Sequence, residues 1–109
     1  MTHQELIDEL MALPDRIYVE EQRLIGMQHQ QEEQRFLIKN READLLGQEY
    51  GPITGKNEAV RSAQLHLHTA PERVQLLEME SVSRRQLALV EKLRNLLVAC
   101  EAAARLMAG

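Results

Sequence analysis

The stretch Tyr50-Gly-Pro-Ile-Thr-Gly-Lys-Asn57 most constrains what this chain can fold into. It holds two of the five glycines and one of the three prolines, and the long charged segments on either side carry few helix breakers. The chain therefore reads as two helical arms joined by a short structured connection. Gly51 and Pro52 stop the first arm, the glycine as a left-handed cap and the proline as a residue that cannot continue the ladder. Asn57 suits the N-cap of a helix beginning at Glu58, with Gly55 in the turn before it.

Composition narrows the class further. Apolar residues make up 44% of the 109 residues and charged residues 28%, which fits a packed chain rather than a disordered one. The only aromatics are Tyr18, Phe36 and Tyr50. A core of Leu, Ile, Val, Met and Ala suits packed helices better than a β-sandwich. At this length one domain is expected, spanning residues 1–109. Four helices are predicted, over about residues 3–13, 14–49, 58–67 and 70–107.

Thr2 and Glu5 form a capping-box pattern at the start of the first helix, where Leu6, Leu10 and Leu13 share one face. Pro14 suits the first turn of a second helix and equally fits a kink in one continuous helix. Beyond it Ile17, Leu24, Ile38 and Leu45 recur on a seven-residue spacing, a heptad seam. The seam is interrupted by the polar run Gln28–Arg35, where the seam position is Gln31. A helix of roughly 35 residues there would be about 50 Å long. Past the turn, Val60, Ala63 and Leu67 give the 58–67 helix an apolar edge expected to cover the core. Thr69 with Glu72 reads as another capping box, with Pro71 in the first turn. In the last helix Val90, Leu93, Leu97, Cys100, Ala104 and Met107 alternate spacings of three and four.

Leu76 and Met79 begin the same seam, Ser83 and Gln86 interrupt it, and both arms thus lose their apolar seam midway. Antiparallel pairing with Leu45 near Arg73 puts Gln31 opposite Leu87, and Glu32 and Glu33 against Arg84 and Arg85. Two such helices alone have a thin core, so a homodimer forming a four-helix bundle is expected. The alanines at 99 and 102–104 allow close helix approach.

The chemistry-bearing motifs are weak. Gly51 to Asn57 resembles a phosphate-binding loop only in outline: three residues separate the glycines instead of four, and Asn follows the lysine where Ser or Thr would hold the metal. His66 and His68, two apart on a helix, point about 200° apart and do not share a metal. No nucleophile–base pattern is readable, and no enzyme activity, cofactor or metal is expected. A net charge of −4 argues against broad phosphate binding. Arg61, Arg73, Arg84 and Arg85 are the residues a local nucleic-acid contact would use, a reading held second. No run of 18 apolar residues exists, so no membrane span is expected, and the acidic start of the chain argues against a secretory signal. Lone Cys100 reads as a small buried hydrophobe suited to a reducing compartment.

Gly55-Lys56-Asn57, followed by Glu58, Arg61 and Ala63-Gln64-Leu65, resembles a turn-plus-helix signature of small helical-hairpin proteins encoded by bacteriophages and prophages. The likeness extends over roughly residues 45–108, through Arg94-Asn95 and the late Ala104-Arg105-Leu106. The first arm here is polar where that family's is rich in Ala and Glu. The resemblance implies a helical hairpin made in a bacterial cytoplasm, often encoded near phage replication and recombination genes. It implies no chemistry and no functional residues. The expected function is accordingly non-enzymatic binding of a phage or host protein, through Glu32, Glu33, Arg84, Arg85, Arg61, Arg73 and the exposed side of the 58–67 helix. DNA binding by an oligomer and inhibition of a host protein are the alternatives.

Overall fold

At the start of the chain Thr2 and Glu5 satisfy each other's backbone: the Glu5 N–H donates to Thr2 Oγ1 at 3.1 Å and the Thr2 N–H to Glu5 Oε2 at 3.3 Å. This reciprocal cap opens a helix that does not stop at Pro14. The structure, a computed structural model, describes residues 1–108. It contains α1 (His3–Leu46), α2 (Glu58–His68) and α3 (Ala70–Ala108), with no strand among the described residues. Of the two readings of Pro14 the continuous helix is the one found, and the division at 13/14 is absent. Leu13 and Ile17, on either side of Pro14, are both buried, and that packing outweighs the single ladder bond the proline removes.

Contacts divide the chain into two units, Met1–Met27 with Val82–Gly109, and Gln28–Ser81. In the first, α1 and α3 pair antiparallel. Leu6, Leu13, Ile17, Leu93 and Cys100 form its core, and Leu10, Leu89, Leu97, Ala103 and Ala104 pack against them. Val90 is also fully buried. At the polar end of this seam Gln86 Nε2 donates to the Glu20 backbone carbonyl at 2.9 Å and to Glu20 Oε2 at 2.6 Å. Arg94 pairs with Glu21 at 2.8 Å.

The second unit holds the rest of both long helices, the turn and α2. Its buried residues are Gln31, Gln34, Ile38, Leu45 and Thr69, so only Ile38 and Leu45 are apolar. The glutamines span the gap by bonding to the main chain: Gln31 Nε2 donates to the Met79 carbonyl at 3.4 Å and Gln34 Nε2 to the Glu72 carbonyl at 2.9 Å. Arg73 pairs with Glu42, and Arg41 Nε lies 3.2 Å from Glu72 Oε1. Here too α1 and α3 run antiparallel, as expected of a hairpin, but in a different register. Arg73 meets Glu42 rather than Leu45, and Gln31 meets Met79 rather than Leu87, a slip of roughly one to two helical turns.

The connection departs from expectation in mechanism. α1 ends at Leu46, and the Gly47 N–H continues one bond further to the Ala43 carbonyl. No described glycine has a positive φ, so Gly51 is not a left-handed cap. It is needed for room instead: a Cβ there would sit 2.6 Å from the Gln48 Cβ. At Gly55 a Cβ would meet Val60 Cγ1 at 2.7 Å and the Arg61 nitrogen at 2.9 Å. Gln64 draws the loop onto α2, accepting from the Thr54 and Gly55 N–H groups through Oε1 at 3.0 and 2.8 Å.

Candidate interaction surface

Asn57 Oδ1 accepts from the Val60 N–H at 2.9 Å and caps α2. The helix that follows has no buried residue. Its apolar edge, expected to lie on the core, faces outward: Val60 is 45% exposed, Leu67 72%, and Ala63 is exposed as well. Leu65 and Arg61, half-buried, lie on its inner side. The reason is local. Gln64 must hold Thr54 and Gly55, and Arg61 Nη1 donates to the Gly55 carbonyl at 3.3 Å, so the loop claims these polar positions and turns the apolar edge away.

Thr69, between α2 and α3, is fully buried. It does not form a capping box with Glu72. Its hydroxyl donates to the Leu65 carbonyl at 2.7 Å and accepts from Arg73 Nε at 2.9 Å. Glu72 turns instead toward α1, where Arg41 takes Oε1, while Oε2 is buried without a partner.

That carboxylate also borders a groove of about 580 Å³ lined by Glu33, Phe36, Leu37, Asn40, Arg41, Asp44 and Glu72. Phe36 is 65% exposed and Leu37 48%. Neither was singled out by the sequence reading, although a signal exists. Phe36 stands two residues before seam position Ile38, hence about 200° around the helix from the side that packs inward.

The remaining predicted contact residues separate into engaged and free-standing groups. Glu32 pairs with Arg35 and Glu33 lies 3.1 Å from His29 Nε2, both within α1, rather than reaching Arg84 and Arg85. Arg35 also reaches Glu80 of α3 at 3.5 Å. Of the four arginines, Arg61 serves the loop and Arg73 is held by Thr69 and Glu42. Arg84 and Arg85 are exposed on α3. Pro52, His66 and His68 are exposed too, and no group of three or more metal-ligating side chains occurs among the described residues. No described helix is long and apolar enough to cross a membrane.

No family model matches this chain, and neither does any curated protein or solved structure.

Proposed function

We propose that this chain is a non-enzymatic helical protein that works by binding protein, first a second copy of itself. The observation that carries this reading is uncovered surface. The chain exposes 8043 Å². A compact monomer of its 12.5 kDa mass would expose roughly 6,200 Å². The excess, roughly 1,800 Å², falls in the range each chain contributes to a large obligate dimer interface, about 1,000–2,500 Å². Large apolar side chains lie on that surface: Phe36, Leu37, Val60, Leu67, Val74 and Leu77 of the second unit are all between 45% and 72% exposed. A four-helix bundle of two hairpins is the assembly that would cover them.

The setting we propose is a phage or prophage protein in a bacterial cytoplasm, accessory to phage DNA replication or recombination. It rests on the likeness at Gly55-Lys56-Asn57 and Ala63-Gln64-Leu65 alone. Direct DNA binding is the weaker reading, because Arg61 and Arg73 are engaged in internal bonds and only Arg84 and Arg85 stand exposed.

Light scattering at micromolar concentration tests the core of the proposal: a mass of two chains is expected, and a monomer would refute self-association. Capture of partners from infected and uninfected cells then separates a phage-encoded partner from a host one. DNA affinity falling steeply with salt would move the reading toward nucleic acid.

A further inference from the structure

We infer that a second copy of this chain lays its α2 in the groove beside Phe36 and receives the first copy's α2 in return. The inference deepens the self-association reading above and depends on it. Two surfaces on the second unit lack a covering, and they are complementary. One is convex: the outward edge of α2, with Val60, Ala63 and Leu67 at spacings of three and four. The other is the groove on α1, with exposed Phe36 and Leu37 as its apolar part. An amphipathic helix placed apolar edge first into a hydrophobic groove is a recurrent mode of recognition.

Charge favours the same match. The groove is lined by three carboxylates, Glu33, Asp44 and Glu72, against the single guanidinium of Arg41. Glu72 Oε2 is buried there without a hydrogen-bond donor. Between Lys56 and His68 the only carboxylate is Glu58, and Lys56, His66 and His68 are exposed. A helix carrying an apolar edge and exposed nitrogen donors is what the groove lacks. Because both surfaces belong to every copy, a two-fold arrangement makes the contact twice and closes the assembly at two chains. Covering both in each chain also removes exposed area of the kind that a monomer of this size does not ordinarily retain.

The test uses the full chain. Leu67→Glu and Phe36→Glu each place a charge on an exposed position, so helicity by circular dichroism should stay unchanged while the mass by light scattering falls from two chains to one. Mixing Phe36→Cys with Leu67→Cys protein under mild oxidation should give a disulfide-linked pair well above either variant alone, with buried Cys100 a bystander. A dimer that persists in both glutamate variants, with no mixed cross-link, overturns the α2-in-groove arrangement while leaving self-association standing. A monomeric wild type overturns both. Mass that keeps growing with concentration would also overturn it, since the contact would then be open-ended rather than reciprocal.

Discussion

Gly55 is demanded by contact rather than by backbone conformation. With no positive φ to accommodate, an alanine would be tolerated conformationally, yet its Cβ would press on Val60 Cγ1 and on the Arg61 nitrogen, and the latter is helix backbone with little room to give. Gly55→Ala is therefore expected to destabilise the protein by about 1–3 kcal/mol, as overpacking usually does, measured by denaturant unfolding. An unchanged midpoint would mean that the loop moves freely off α2. The requirement for glycine here was legible from the turn pattern, but its cause was not, since a close approach depends on where Val60 is carried. Asn57 is the opposite case: its cap depends on the N–H groups just after it in sequence, so residue type and position were enough to locate it. Thr69 misled for the same reason that Asn57 did not. Its hydroxyl had two local uses, and burial beside Leu65 and Arg73 chose the backward one.

Among the elements, α1 carries a proline at an interior position, Pro14. A proline inside a helix costs about 3 kcal/mol relative to alanine, less where the helix bends to suit it. Pro14 is exposed, so Pro14→Ala removes no packing and is expected to raise the thermal midpoint by several degrees. A fall would show that a bend at Pro14 is needed to bring Leu6 and Leu13 together in the core. The polar seam residues set register. Gln31 and Gln34 bond to main-chain carbonyls of α3, and leucine at both positions would extend the apolar seam. A polar residue at a seam position specifies alignment at a cost in stability. The double substitution Gln31→Leu with Gln34→Leu should therefore raise the melting temperature while letting more than one register form, seen as doubled amide signals by NMR. A lower melting temperature with a single set of signals would give these glutamines a purely stabilising role.

For the whole molecule, folding and association should be linked. If two chains cover each other's apolar surface, the dimer binds no unfolded chain, and the melting temperature must rise with protein concentration. A melting temperature constant over a hundredfold dilution would sink the dimer. Exposed ion pairs such as Arg94–Glu21 contribute only about 0–1 kcal/mol each, so added salt should change this stability little.

The sequence by itself determined that the chain is helical and, for most of its length, which side of each long helix packs, though not that one helix runs through Pro14. The seven-residue recurrence of Ile17, Leu24, Gln31, Ile38 and Leu45 is a property of one helix, and all but half-buried Leu24 are buried, even the glutamine. Register and the facing of α2 were decided only by tertiary structure. A heptad pattern repeats every two turns, so alignments differing by that step bury nearly the same apolar residues, and the choice falls to cross-helix bonds such as Gln31 to Met79 and Arg73 to Glu42. Helix α2 has an apolar edge that periodicity locates, but periodicity does not say whether that edge points inward. The loop at Thr54 and Gly55 takes the neighbouring polar side chains as its anchors, and Val60 and Leu67 are left facing out.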